Sequence, residues 1–209
     1  MRNRRSFHEI VRISEQSVNV IGTKAGLQAH DSLKVWDLLH ALMLPSGNDA
    51  ALALAEFIGK LFDPASPVPG FISKMNAMAK GLKLDVTTFG NPHGLSNLVN
   101  LSNAKNLACL VSYAMGNMLF RKVVGRRNYE CMVFGSDGPR KVSWENTNKL
   151  LYKGFCGVKT GFTPSAGPCL ACCYEKDGKK IVVILLRAKT MNSRWTEALR
   201  LVKWAFQDE

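Results

Sequence analysis

The amino-acid sequence predicts one α+β domain, in which helices come first and a mostly antiparallel sheet follows, covered by a C-terminal helix. Three observations predict this class. Apolar residues recur at helical spacing over about residues 33–124, strand and turn patterns replace them over about 125–209, and the last apolar stripe is helical again. With 209 residues, 46% of them apolar, the chain can bury a core. We expect one domain over residues 1–209.

The helical region contains four predicted helices. Residues 35–44 are mostly apolar, and "PSGND" then ends the pattern, so a second helix is predicted to begin near Asn48 or Asp49, residue types that cap helix N-termini. Its apolar positions are Leu54, Ile58 and Leu61. The third helix follows the loop "DPASPVPG", and its predicted buried face consists of Phe71, Met75, Met78 and Leu82. Ser102 is expected to cap the fourth helix, after the loop "FGNPHGLSN".

The sheet region begins with a predicted hairpin. "NYECMVF" and "RKVSWENT" flank "GSDGP", whose Asp-Gly and Gly-Pro pairs are typical of turns. "GFCGVKTG", "GPCLACCYE" and "IVVILL" are predicted to be the next strands, and the unbroken apolar run of "IVVILL" indicates a central strand that is buried on both faces. Residues 194–206 close the chain as a helix, whose apolar stripe is Trp195, Leu199, Val202 and Phe206.

Charge and composition limit the classes of partner. The net charge of +12 comes without zinc-finger spacing, a helix-turn-helix pattern or an aromatic RNA-binding signature, so we expect a generic basic surface and no specific nucleic-acid partner. A nucleic-acid-associated protein is a hypothesis that rests on charge alone. No stretch approaches the roughly 20 apolar residues of a transmembrane helix. The four histidines lack ligand spacing, and we predict no metal and no cofactor.

Six cysteines are present, three of them in "CLACC" at residues 169–173. The period-2 alternation of a strand would place Cys169 and Cys173 on one face and Cys172 on the other. The surrounding segment is apolar, and free cysteines are among the residues most often buried. We therefore predict buried thiols in a strand here, rather than a metal or redox motif.

Two short motifs carry the candidate chemistry. Ser46 and Asn48 lie on the predicted loop between two helices, and Lys159 and Thr160 lie on a predicted edge strand. Such a pair of elements can form a cleft for a substrate that ends in a carboxylate, with Lys159 as the positive charge and Thr160 as a hydroxyl donor. The exposed strand can pair with an extended peptide. Gly161 permits close backbone approach, and the amide of Phe162 can stabilise an oxyanion.

The strings around these motifs are more specific than the triplets themselves. "LLHALMLPSGNDAALALAE", "NPHGLS", "NTNKLLYKG" and "GVKTGFTPSAG" resemble the D-alanyl-D-alanine carboxypeptidases, which are low-molecular-mass penicillin-binding proteins related to the β-lactamases. The likeness extends over about residues 11–206. It implies a β-lactamase/transpeptidase-like fold and a serine peptidase that removes the terminal D-alanine of peptidoglycan stem peptides through an acyl-serine. Its expected partners are peptides ending in D-Ala-D-Ala and β-lactams.

The resemblance also implies residue roles. Ser46 would relay a proton to the leaving amine, and Asn48 would orient the substrate amide. Lys159 and Thr160 would hold the terminal carboxylate, and the amide of Phe162 would form half of the oxyanion hole. The family's bacterial members act outside the cytoplasm, but no signal peptide is evident in this sequence, so the compartment is left open.

The third motif of the family, S-x-x-K upstream of SGN, does not occur at that place. The one S-x-x-K in the sequence is Ser102 with Lys105, which we interpret as a helix cap. We expect a chain that begins after the nucleophile helix, or else a nucleophile-free relative, and in both cases little or no peptidase activity and exposed apolar surface. The alternatives are a peptide-binding module without catalysis and a class A β-lactamase. The triplet SGN, in place of SDN, argues against the β-lactamase.

Overall fold

The computed structural model describes residues 4–206. Seven α-helices are present in that range: α1 (Glu15–Val18), α2 (Val35–Met43), α3 (Asn48–Gly59), α4 (Pro67–Gly81), α5 (Ala104–Met115), α6 (Met118–Val124) and α7 (Ser193–Ala205). Seven strands accompany them: β1 (Ile10–Arg12), β2 (Ser32–Lys34), β3 (Asn128–Gly135), β4 (Gly138–Glu145), β5 (Phe155–Thr163), β6 (Gly167–Lys176) and β7 (Lys179–Leu185). Two 3-10 helices cover Arg4–His8 and Lys149–Lys153. The predicted α+β class is confirmed.

The first sheet has the antiparallel order β1-β2-β3-β4. The alternating side chains of its strands place Leu33, Val133 and Trp144 in a core that also contains Leu38 of α2 and Leu54 of α3. The predicted "GSDGP" hairpin is the β3–β4 turn, in register from Gly135↔Gly138 outward. This sheet and its core support the two helices that flank the SGN segment.

The second sheet has the antiparallel order β5-β6-β7 and is covered on both faces. Helix α7 packs on one face, with Leu170, Cys172 and Val183. Helices α5 and α6 pack on the other face, with Val158 and Cys173. The predicted hydrophobic face of the C-terminal helix thus meets the sheet, and Cys172 and Cys173 point to opposite faces, as their alternation predicted.

The prediction that "IVVILL" is the central strand was wrong. Within the described part of the chain β7 lies at the edge of its sheet, and β6 is central. Val183 is buried, whereas its neighbours in β7 are half-buried. An apolar run without alternation indicates that both faces of a strand are covered, and here α5 and α7 cover them. It does not indicate whether the strand lies at the centre or at the edge of the sheet.

Three smaller predictions also need correction. Met78 is 54% exposed, because Ala79 and not Met78 lies on the buried face of α4. Leu61 follows the end of α3 and is exposed. The cap of α5 is Asn103, whose side chain accepts a hydrogen bond from the Asn106 amide, and not Ser102. Asn is as good a cap as Ser, so the pattern left the boundary open by one residue.

No single helix among residues 4–206 is long and apolar enough to cross a membrane. Helices α5 and α6 reach that length and composition only when they are taken together, and their axes differ in direction by 107°.

Candidate active site

A cleft of about 670 Å³ brings the two motifs together. One wall is the segment between α2 and α3, the opposite wall is the second half of β5, and a loop at residues 91–100 closes one end. All six residues that the sequence indicated line this cleft: Ser46, Asn48, Lys159, Thr160, Gly161 and Phe162. The two motifs are thus adjacent in space although they lie far apart in the sequence.

The first wall is a tight turn that leads into α3. Ser46 has a left-handed backbone, with φ of 67°, and is half-buried. At Gly47 an added Cβ would lie 2.7 Å from the carbonyl oxygen of Ala41 and 2.8 Å from the Cβ of Ala25, so only glycine fits without movement of the backbone. The glycine of the SGN triplet is therefore required by packing. It sets the direction of the flanking Ser46 and Asn48.

Asn48 is the first residue of α3 and is 5% exposed. Its backbone amide donates to the carbonyl oxygen of Thr23 at 2.8 Å, and its side-chain Nδ2 donates to the carbonyl oxygen of Ile21 at 2.8 Å. Gly22 allows this approach, since a Cβ there would lie 2.6 Å from Nδ2. The amide side chain is thus held in a fixed orientation at the cleft, and its Oδ1 atom can accept a hydrogen bond.

Asp49 was predicted only as a possible helix start, and in the structure it stabilises the segment beside the cleft. It is fully buried, and its carboxylate accepts hydrogen bonds from the amides of Ala25 at 2.8 Å and Leu27 at 3.2 Å. These charge-assisted bonds hold the segment at residues 21–27 against the N-terminus of α3, where a negative charge is favoured. The same segment supplies the Ile21 carbonyl that orients Asn48. In the sequence, this role is indicated by an aspartate that directly follows a predicted helix cap.

The second wall carries the positive charge. The Nζ atom of Lys159 donates to the carbonyl oxygen of Thr160 at 2.9 Å. Burial lowers the pKa of Lys159 to about 8, and the positive charge of Arg194 acts in the same direction. A half-buried ammonium gains free energy when an anion binds beside it. Lys159 is therefore suited to recognise a carboxylate.

Thr160 connects the two walls. Its Oγ1 lies 2.7 Å from Oγ1 of Thr147, which donates to the carbonyl oxygen of Leu44 at 3.3 Å, and the Thr147 amide donates to the same carbonyl at 3.1 Å. Leu44 comes two residues before Ser46. The distance between the serine wall and the lysine wall thus depends on this chain of hydrogen bonds. Thr160 has one proton, so it can donate to a ligand only when Thr147 Oγ1 donates to Thr160; the Thr147 amide then keeps the hydrogen bond to Leu44.

Arg194 is a residue beside the site that was not predicted from the sequence. Only 6% of it is exposed, and its Nη1 donates to the carbonyl oxygens of Gly161 and Cys169, both at 3.3 Å. Its guanidinium stacks on the Trp195 ring at 4.4 Å, and its buried Nε has no hydrogen-bond partner. An arginine at the start of a C-terminal helix gives no local signal. Its position behind β5 becomes visible only when the sheet is assembled.

Gly161 and Phe162 form the outer part of the strand. A Cβ on Gly161 would meet only the Cβ of Cys169, at an ordinary 3.7 Å, so the fold itself does not require glycine at this position. Phe162 is 58% exposed and its ring lies at the cleft. Within residues 4–206, β5 pairs only with β6, so its other side is open for an extended ligand.

The loop at residues 91–100 closes the cleft near the β5–β6 turn. Ser96 Oγ donates to Thr163 Oγ1 at 2.9 Å and lies 2.6 Å from Ser165 Oγ. His93 also lines the cleft, and burial lowers the pKa of its imidazole. This hydroxyl cluster connects the "NPHGLS" string to the strand that carries Lys159.

Comparison with known families decides the identity of this architecture. Residues 3–190 match the sequence profile of the D-alanyl-D-alanine carboxypeptidase family. The chain belongs to this family. The D-alanyl-D-alanine carboxypeptidase of Streptomyces sp. strain K15 is 37% identical over 188 residues, and DacF of Bacillus subtilis is 31% identical over 199 residues. These alignments cover 88% and 94% of the chain.

The solved structures of carboxypeptidase-family members agree with this assignment. The crystal structure of the Streptomyces K15 DD-transpeptidase matches with a TM-score of 0.92 and 34% identity, and the match covers 98% of this chain and 81% of that one. The chain nevertheless spans only 65% of the length of the Streptomyces carboxypeptidase and 49% of DacF. The predicted β-lactamase/transpeptidase-like fold is confirmed.

The carboxypeptidase family's S-x-x-K motif has one match in this sequence, and it lies outside the cleft. Ser102 is exposed, and its Oγ lies 2.8 Å from Thr87 Oγ1, next to the N-terminus of α5. Lys105 is exposed on that helix. Neither residue lines the cleft that holds Ser46 and Lys159.

Proposed function

We propose that this chain provides the substrate-binding and proton-relay part of a serine-type D-alanyl-D-alanine carboxypeptidase. The observation that carries the proposal is the single cleft lined by Ser46, Asn48, Lys159 and Thr160, in a chain of this family. The substrate class is a peptide that ends in D-Ala-D-Ala, and β-lactams occupy the same cleft.

The carboxylate of the last D-alanine binds at Lys159 and Thr160. The half-buried Lys159 lines this end of the cleft and Arg194 lies behind β5, and an anion bound at Lys159 relieves the cost of keeping the lysine charged. The peptide backbone pairs with the open side of β5 beyond Thr160. Asn48 orients the amide of the residue before the scissile bond.

The reaction of the complete site is acyl transfer. A serine hydroxyl attacks the carbonyl between the two D-alanines, and a lysine one helical turn away takes its proton. Ser46 relays that proton to the leaving amine, so that D-alanine departs, while the Phe162 amide stabilises the oxyanion. Water then hydrolyses the acyl-serine and releases the shortened peptide.

No S-x-x-K motif is formed by Ser46, Ser96 and Lys159, the serines and the lysine that line the cleft within residues 4–206. The S-x-x-K pair Ser102 and Lys105 is exposed and outside it. We therefore propose that residues 1–209 bind the peptide carboxylate without forming the acyl-serine. A peptide-binding relative without catalysis is the second candidate. A class A β-lactamase is disfavoured, because the triplet in this chain is SGN and not SDN.

Peptide binding tests the cleft directly. Titration calorimetry with an N-acetylated peptide ending in D-Ala-D-Ala should give binding, and the same peptide with a C-terminal amide should bind more weakly. Lys159→Met should weaken binding of the carboxylate peptide by about 10- to 100-fold, the value of a charge-assisted hydrogen bond. Lys122→Met removes an exposed charge on α6 and serves as the control. Equal affinity for the acid and the amide would refute the proposal.

Fluorescent penicillin tests acylation. We expect no covalent label on the 209-residue chain after denaturing electrophoresis, while unlabelled penicillin competes with the peptide in calorimetry. A covalent label would contradict the non-acylating assignment. Ser46→Ala and Ser102→Ala variants would then identify the acylated serine.

A further inference from the structure

A second cluster of reactive side chains lies outside the cleft, at the start of β5. The Sγ atoms of Cys156 and Cys173 and a carboxylate oxygen of Glu175 all lie within 4.8 Å of one another. Cys156 sits at the bulge where the β5–β6 register shifts, and its Sγ donates to the carbonyl oxygen of Cys173 at 3.2 Å. Cys173 is fully buried under α5 and α6, whereas Cys156 is partly exposed. The two sulfurs are thus adjacent, and solvent reaches one of them.

The charges around this cluster do not favour a metal ion. The Glu175 carboxylate is already held by Arg121, with hydrogen bonds of 2.7 and 2.6 Å to its two oxygens, and Lys180 lies 3.6 Å away. A divalent cation would have to displace the guanidinium, and only two thiolates would remain as ligands, whereas structural zinc sites have four. The Arg121 charge favours a thiolate at Cys156, whereas the Glu175 carboxylate opposes it.

We propose that Cys156 and Cys173 form a redox-active pair that hydrogen peroxide converts to a cross-strand disulfide between β5 and β6. The Cys156 thiolate attacks one peroxide oxygen, the O–O bond breaks, and the sulfur becomes a sulfenic acid; the hydroxide that leaves takes up the proton that the Cys156 thiol had released and forms water. The Cys173 sulfur then attacks the Cys156 sulfur, the S–OH bond breaks, and the leaving hydroxide takes the Cys173 thiol proton and forms a second water. Two thiols are oxidised by two electrons in total, and one peroxide is reduced to two waters.

Three features support this order of events. The neighbouring Cys173 thiol can donate a hydrogen bond to the Cys156 thiolate, and this lowers the pKa of Cys156 to about 7 against the opposing effects of burial and of the Glu175 carboxylate; the Arg121 charge also lowers it. Burial of Cys173 leaves Cys156 as the accessible sulfur. Rotation of the two side chains must bring the Sγ atoms to about 2 Å, which is feasible for residues on paired strands. The disulfide would fix the start of β5, three residues before Lys159.

Peptide mapping of the full chain provides the test. The reduced protein is treated with a small excess of hydrogen peroxide, alkylated and digested with trypsin, which cleaves after Lys153, Lys159 and Lys176. We expect peptides 154–159 and 160–176 to be joined, with fragment ions that assign the bond to Cys156 and Cys173, and to separate again after reduction. Cys156→Ser and Cys173→Ser should each abolish the joined species. Cys109→Ser, at an exposed cysteine, should leave it unchanged.

Three results would overturn the proposal. One is oxidation of Cys156 to sulfinic acid while Cys173 remains alkylatable in denaturant. Another is a bond from Cys156 to Cys169 or Cys172, which lie on the same tryptic peptide as Cys173. The third is stoichiometric zinc binding that is lost in Cys156→Ser. None of these readouts depends on peptide binding in the cleft, so the proposed function and this proposal can fail separately.

Discussion

The protonation state of Lys159 links its burial to ligand binding. Its pKa is lowered to about 8, mainly by burial. Only the ammonium form attracts a carboxylate, so affinity for a D-Ala-D-Ala peptide should be constant below that pH and decrease about tenfold per pH unit well above it. Kd should be measured by calorimetry from pH 6 to pH 10. A plot of log Kd against pH should then bend near pH 8. Lys122→Met should keep the bend, and a pH-independent Kd would contradict the role of Lys159.

Packing leaves no free space for a side chain at Gly47. An added Cβ would lie 2.7 Å from the Ala41 carbonyl oxygen and 2.8 Å from the Ala25 Cβ, atoms that can move only with the backbone. Gly47→Ala should lower the free energy of unfolding by about 1–3 kcal/mol, the usual cost of overpacking. Urea denaturation followed by circular dichroism measures this change.

Gly81→Ala is the matched control for that prediction. Gly81 lies in α4, and an added Cβ would have no atom within 4 Å. The substitution should leave stability unchanged or raise it by about 0.5–1 kcal/mol through helix propensity. Equal stability of the two variants would mean that the SGN turn tolerates a side chain.

At the scale of elements, one buried ion pair holds the first sheet to the turn before β2. Asp31 is fully buried and accepts two hydrogen bonds from the guanidinium of Arg140 on β4, one of them 2.6 Å long. It also accepts from the Gln28 amide at 2.7 Å. Arg140→Met would leave a buried carboxylate without its cation and should lower the free energy of unfolding by about 3 kcal/mol.

The adjacent position on β4 supplies the comparison for Arg140. Lys141 pairs with Glu130 across the β3–β4 strands at 2.6 Å, but both side chains are more than half exposed. Lys141→Met should therefore cost about 0–1 kcal/mol. Urea midpoints of the two variants should differ clearly at equal slope. If Lys141→Met were the more destabilising variant, burial would not determine how much each ion pair contributes to the free energy of unfolding.

The elements also show what local pattern can predict. Helices α2, α3 and α7 and the β3–β4 hairpin followed from spacing and turn residues, because each is determined by neighbours close in sequence. The order of strands in a sheet depends on distant partners, and so "IVVILL" was assigned to the centre when it forms an edge. Arg194 could not be predicted for the same reason. Its contacts to Gly161 and Cys169 exist only after α7 docks on the sheet.

At the scale of the whole molecule, the core of the first sheet is continuous with the core on one face of the second sheet. Met43 packs against both the cluster around Trp144 and the cluster around Val158. In α6, Val123 belongs to the first of these clusters and the adjacent Val124 to the second. The Thr147 amide also connects the start of the second half to the Leu44 carbonyl, beside the cleft. The cleft is therefore formed between two layers that are packed together.

This continuity predicts cooperative unfolding of the whole chain as one domain. Trp36 and Trp144 report on the first sheet and its helices, and Trp195 and Trp204 of α7 report on the second. Two double variants, Trp36→Phe with Trp144→Phe and Trp195→Phe with Trp204→Phe, isolate the two signals. In each variant the urea midpoint from fluorescence should equal the midpoint from far-ultraviolet circular dichroism. A fluorescence midpoint that is displaced in one variant would mean that one layer unfolds first, and that the cleft opens before the chain unfolds.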